Sequence, residues 1–144
     1  MRTGLVLFLS AAIYPVPAFA EADPIAVAHA FVEALRSGDA EAFQSRHTQD
    51  AMFFGGDVGI PLAGVEKAFS QPKYKACTLG PLILKPEKVA ADLLLNQTPA
   101  SMRDGAAGKV EGILSCPATT GGIRLTRMTF YVSGDRVAIF AIGD

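Results

Sequence analysis

The chain has 144 residues and a formal net charge of −1, from 13 basic and 14 acidic side chains. That length sets one domain with at most a short appendage, and the charge excludes the basic surface that nucleic acid or anionic lipid would need. Half of the residues are apolar, with two Cys, two His and no Trp, which excludes a disordered chain and a multi-cysteine metal module.

The first segment reads as an address rather than as fold. Met1-Arg2-Thr3 is a short positive start, and Gly4 to Ile13 is apolar or small except for Ser10. Ala18-Phe19-Ala20 places small residues where a signal peptidase needs them. A transmembrane anchor is the competing reading, but a span takes about 20 apolar residues and this run is about half that. Residues 1–20 are therefore expected to be a secretory signal peptide, cleaved after Ala20 or two residues later after Ala22, and residues 21–144 the mature domain. Losing Arg2 takes the formal charge from −1 to −2. No membrane association is expected after cleavage, and the compartment is periplasmic or extracellular.

Asp23-Pro24 is a helix start, with Asp as N-cap and Pro at the first position. Ala28, Phe31, Val32 and Leu35 then form one apolar stripe, and Gly38 stops the helix. Asp39 caps a second helix from Ala40 to about His47. Ala51 to Phe54 reads as a short strand ended by Gly55-Gly56. A loop through Asp57, Gly59 and Pro61 follows, then a helical turn around Val65–Phe69. Tyr74 to Leu84 looks like strand interrupted at Gly80-Pro81. Val89 to Leu95 fits strand or helix, because a short apolar run does not distinguish them. Gln97 to Lys109 is rich in Gly and Ala and reads as loop. Asn96-Gln97-Thr98 is a formal glycosylation sequon, meaningful only in a eukaryotic secretory pathway.

The end of the chain is β. Val110–Cys116, Ile123–Val132 and Arg136–Ile142 read as three strands, the last two joined by a Ser133-Gly134-Asp135 turn. Met128, Phe130 and Val132 share one face, and Ile123 and Leu125 the other. That switch near Thr126-Arg127 predicts a β-bulge. In the last strand Val137, Ile139 and Ala141 oppose Ala138, Phe140 and Ile142, so both faces are apolar. Such a strand is covered on both sides, and a second subunit would serve, which makes a homodimer the expected assembly.

Cys77 and Cys116 lie 39 positions apart. In an oxidising compartment they are expected to pair as a disulfide rather than to stay as two buried free thiols. Closing a loop of that size stabilises a fold by about 3–4 kcal/mol on the chain-entropy model.

These elements make an α+β domain, and at three places the residues resemble a known superfamily. Phe31-Val32-Glu33-Ala34-Leu35-Arg36-Ser37-Gly38-Asp39-Ala40-Glu41-Ala42 looks like the first helix pair of the nuclear transport factor 2-like superfamily. Thr48-Gln49-Asp50-Ala51-Met52-Phe53-Phe54 is similar to that family's approach to its first strand. Thr129-Phe130-Tyr131-Val132-Ser133-Gly134-Asp135-Arg136-Val137 looks like its closing hairpin. The resemblance covers the two ends of the mature chain, and the middle, about 72–109, poorly. It implies a cone: a strongly curved antiparallel sheet, a cystatin-like roll, wrapped around the N-terminal helices and enclosing an apolar pocket. The superfamily includes SnoaL-like polyketide cyclases, ketosteroid isomerases and non-catalytic binding modules, so fold alone does not choose an activity.

The residues narrow the choice. The isomerases' oxyanion-stabilising Tyr would fall at Phe31, which has no hydroxyl to donate to a developing enolate. Their base would fall near Gly55-Gly56-Asp57. His47 is a second candidate base, with Asp50 to orient it, against a plain reading as a surface residue at a helix C-terminus. His29 reads as a boundary residue. Arg124 and Arg127 lie on opposite faces of one strand, and an inward Arg would bind a carboxylate or phosphate bidentately. Phe31, Phe53, Phe54, Met128 and Phe130 would line a pocket or fill a core. No spacing of His, Cys or carboxylates suggests a metal, and no motif suggests a cofactor. The leading expectation is an exported module that binds a small apolar molecule or a partner. The alternative is a small lyase, isomerase or cyclase with an acid–base residue in the cone, and a third reading is a structural domain whose cone is filled by side chains.

Overall fold

Asp23 caps the first helix as expected: its carboxylate accepts the Ile25 N–H at 3.0 Å, and Pro24 opens the helix α1, Pro24–Ser37. The computed structural model describes residues 22–56, 58–69, 72–85 and 108–143. The expectations for the signal peptide, Asp57, the Val89–Leu95 run, the sequon and most of the Gln97–Lys109 loop lie outside these. Gly38 ends α1 at φ +73°, a conformation that costs glycine nothing. Asp39 Oδ1 then accepts the N–H groups of Glu41 and Ala42 and caps α2, Ala40–Gln44.

The second helix is shorter than the sequence suggests. It ends at Gln44, and the chain enters β1, His47–Gly55. The cause is tertiary: the Arg46 carbonyl accepts the Val137 N–H at 2.9 Å, so pairing with the last strand claims the backbone that a longer helix would use. After β1 come β2 (Val58–Gly59), α3 (Leu62–Phe69) and α4 (Pro72–Lys75). Tyr74 and Lys75, expected in a strand, are helical. The strand reading holds beyond them as β3 (Thr78–Leu79) and β4 (Ile83–Lys85), parted at Gly80-Pro81.

Three long strands complete the chain: β5 (Gly108–Pro117), β6 (Ile123–Ser133) and β7 (Arg136–Gly143). Gly134 sits at φ +60° in the β6–β7 turn, as the first position of a two-residue hairpin loop requires. The described strands form one curved sheet in the order β2-β1-β7-β6-β5-β3, with β4 also on β5. β1 runs parallel to β7, and the other pairs are antiparallel.

The bulge is not where the apolar pattern put it. β5 and β6 pair without a break from Pro117↔Ile123 to Gly108↔Val132. The register shifts between Tyr131 and Val132 against β7, where Phe130 meets Phe140 but Val132 meets Val137. The extra residue in β7 changes its phase, so Val137 joins Phe140 and Ile142 in the main core while Ala138 and Ile139 pack with Tyr131, Met52 and Phe54. Ile123 and Leu125 simply continue the outer face past the buried part of the pair, and are 72% and 57% exposed.

The concave face closes on α1. Phe31 lies with its ring centroid 5.1 Å from Phe140, 5.2 Å from Phe43, 5.9 Å from Phe130 and 6.3 Å from Phe53. Val32, Leu35, Val110, Leu114 and Met128 surround this cluster, all buried. Burying a phenylalanine contributes about 1.5–3 kcal/mol from area alone, and paired rings add to it.

Candidate functional site

A cavity of about 750 Å³ lies against the curved sheet, lined by none of the clustered phenylalanines among its described residues. Its described lining comes from three pieces of chain. Gly55, Gly56, Ile142 and Gly143 come from the adjoining ends of β1 and β7. Cys116 to Thr120, Arg124 and Thr126 come from the tip of the β5–β6 hairpin, and Tyr74 comes from α4.

Each piece has a local cause. The Gly56 N–H donates to the Ile142 carbonyl at 2.8 Å, and Gly56 takes φ +60°, so the chain turns away at the end of β1. At the hairpin tip Gly121 and Gly122 both have φ +86°, a region that side-chain-bearing residues rarely adopt. The Ala118 N–H bonds to the Gly122 carbonyl and the Gly121 N–H to the Ala118 carbonyl, which holds Thr119 and Thr120 at the rim. Arg124 and Thr126 share the inward phase of β6 with Met128, Phe130 and Val132, as period-2 alternation dictates.

Cys77 and Cys116 are disulfide-bonded, as expected. The bond ties the segment after α4 to β5 beside the cavity. Arg36 reinforces the same join from α1: its Nη2 donates to the Cys77 carbonyl at 2.7 Å and to the Lys75 carbonyl at 3.3 Å. Arg36 also lies 3.4 Å from Glu33. Sequence reasoning gave Arg36 no role, because its partners are carbonyls some forty residues away.

The residues singled out from sequence are spread over the molecule. Phe31, Met128 and Phe130 are wholly buried and Phe53 is 4% exposed, packed against one another and the neighbouring core. Phe54 packs with the smaller cluster that holds Tyr131, Ala138 and Ile139, and borders with Phe53 a crevice of about 30 Å³. None of the five lines the large cavity among its described residues. His29 is exposed, rather than at a boundary.

His47 is neither at a helix end nor at the surface. It opens β1, is 7% exposed, and sits 5.0 Å from the Phe43 ring and 5.8 Å from Phe53. Its Nδ1 lies 2.8 Å from the Thr48 carbonyl, which requires the proton on Nδ1. Nε2 is buried without a partner among the described residues. The ring therefore faces the aromatic core rather than the cavity. Of the two arginines, Arg124 lines the cavity and Arg127 faces out from the opposite side of the strand. Among the described residues no group of three His, Cys, Asp or Glu could hold a metal, and no helix is long and apolar enough to cross a membrane.

Sheet order, helix placement and the curved concave face together match known architectures. The fold is α+β, a large curved sheet with helices packed against it. The chain is similar to the orange carotenoid protein of Anabaena (Nostoc) binding canthaxanthin, at a TM-score of 0.53 and 12% identity, covering 99% of this chain and 42% of that one. It is also similar to a protein from Sphaerobacter thermophilus, at a TM-score of 0.51 and 13% identity over 81% of this chain and 90% of that one. An NTF2-like protein with a cystatin-like fold from Novosphingobium aromaticivorans aligns at a TM-score of 0.47 and 17% identity, over 83% and 77% of the two chains. No family model matches the chain, and no curated protein matches its sequence. Identities at this level speak for the fold alone.

Proposed function

We propose that the protein is an exported small-molecule-binding module whose ligand sits at the mouth of the cone. The observation that carries this reading is the cavity of about 750 Å³, inside the range of sites that take drug-sized molecules. Its described walls mix an apolar floor, including Ile142, Pro117 and Ala118, with a few hydroxyls and one guanidinium. Threonine, tyrosine and arginine orient a ligand through hydrogen bonds, and the described walls hold no His, Asp or Glu. The canthaxanthin in the carotenoid protein shows an apolar ligand carried by a protein of related fold. The disulfide fits an oxidising compartment.

Nile red titration tests the reading. Its emission should rise on binding, and Thr126→Trp, which puts an indole into the mouth, should weaken binding by at least about tenfold. Unchanged affinity in that variant would move the site elsewhere and reopen the lyase, isomerase or cyclase alternative.

The reading includes a homodimer. Ile113, Ile123 and Leu125, at 47%, 72% and 57% exposure, form an apolar stripe on the outer face of β5 and β6, the kind of surface that marks an interaction site. Light scattering at micromolar concentration should return twice the chain mass; the mass of one chain would remove assembly from the reading.

A further inference from the structure

We infer that the protein carries a second binding site, for a primary ammonium group on a short aliphatic chain, in a cavity of about 240 Å³ where the α1–α2 corner meets α3. It shares no described lining residue with the larger cavity, so it goes beyond the binding reading above and does not depend on it. Leu35 of α1 and Phe43 of α2, both buried, give it apolar walls. Ala63, Glu66 and Lys67 line it from α3, at the i, i+3, i+4 spacing that puts three side chains on one helix face.

Glu66 makes the cavity a site. The residue is half-buried, yet its Oε1 is out of reach of solvent and takes a hydrogen bond from no described residue. A buried acceptor without a donor costs free energy, and a charged one costs more, so a ligand that brings a donor removes that cost. Lys67 has an interaction of its own, and Oε1 is still left without a donor. Asp39 borders the same space, with Oδ1 taken by the Glu41 and Ala42 N–H groups that it caps. Two carboxylates against one lysine leave the described lining with a formal charge of −1, which favours a cation. An ammonium supplies both the charge and three N–H donors, and such charge-assisted bonds are about twice as strong as neutral ones. An alcohol would bring a donor without the charge, and a quaternary ammonium the charge without a donor. The volume lies below that of sites for drug-sized molecules, so the aliphatic part is short and rests on Leu35 and Phe43.

Amide chemical-shift titrations of the disulfide-bonded chain with butylammonium, butanol and tetramethylammonium test this. Butylammonium should shift Gly38, Asp39, Ala40 and Ala63 saturably, and bind about tenfold more tightly than either of the others. Glu66→Gln, which keeps the shape and removes the charge, should erase the preference over butanol. Butanol or tetramethylammonium binding as tightly as butylammonium overturns the assignment. So does an undiminished preference in Glu66→Gln, or the absence of shifts at the α1–α2 corner. The three-ligand comparison uses only the wild type, so a poorly folded variant cannot mask the answer. Nα-acetyl-lysine amide, run in parallel, separates two sources of the same group: binding like butylammonium admits the lysine side chain of a partner, and exclusion restricts the site to free amines. Any of these failures leaves Nile red binding at the larger cavity intact, so the two sites stand or fall separately.

Discussion

The interior of the cone and its mouth are built from the same face of the same strand, yet they differ in kind. Along β6, Met128, Phe130 and Val132 point inward and are buried, whereas Arg124 and Thr126 point the same way and border open space. The difference is what lies above them. Phe31 of α1 and its ring partners cover the first set, and the hairpin carries the second set past that cover. Period-2 alternation assigns a side to each residue; the reach of the helix decides whether that side is core or cavity.

The comparison can be broken at the interior first. Phe31→Ala should cost about 3–5 kcal/mol in urea unfolding, while the folded fraction keeps its affinity for Nile red. A ligand affinity that collapses with Phe31 would mean that the interior, not the mouth, holds the ligand. The disulfide joins both properties. Replacing Cys77 and Cys116 by Ser should cost about 3–4 kcal/mol, and should also weaken ligand binding because the α4 segment is freed from β5. Stability loss without a change in binding would detach Tyr74 from the site.

Smaller effects sharpen the same contrast. His47→Leu should stay within about 1 kcal/mol of wild type in unfolding, since the lost Nδ1 bond to the Thr48 carbonyl is offset by removing a buried nitrogen that has no partner among the described residues. A loss of more than about 3 kcal/mol would show that Nε2 has a partner in solution. Smallest of all, Arg124→Gln should shift stability by at most about 0.5 kcal/mol, as exposed substitutions do, while changing the affinity for Nile red at the mouth. Function at the mouth and stability in the interior would then be separable by single residues.

Much of the architecture was legible because it is written locally. Asp23-Pro24, Gly38, Asp39 and Gly134 act through caps and turns that involve near neighbours, and each falls where its type predicts. The Cys pair was legible from its parity together with the oxidising compartment that the leader implied. What misled were features set by distant chain. The second helix stopped early because Val137 takes the Arg46 carbonyl, and the bulge moved because β7, not β6, carries the extra residue. The site followed the same rule. For five apolar residues the sequence left pocket lining and core filling open: Phe31, Phe53, Met128 and Phe130 pack in the core, and Phe54 packs on the other face. Arg124 was noticed as one of two possible inward arginines. Extending the inward phase of Met128 and Phe130 backwards along β6 chooses it.

An amide chemical-shift map of the chain titrated with Nile red tests the central claim most directly. Shifts concentrated at Gly55, Gly56, Thr119, Arg124, Thr126 and Gly143, with Phe31 and Phe130 unmoved, are the predicted result. Shifts centred on Phe31, Phe53 and Phe130, with the mouth residues still, would contradict it.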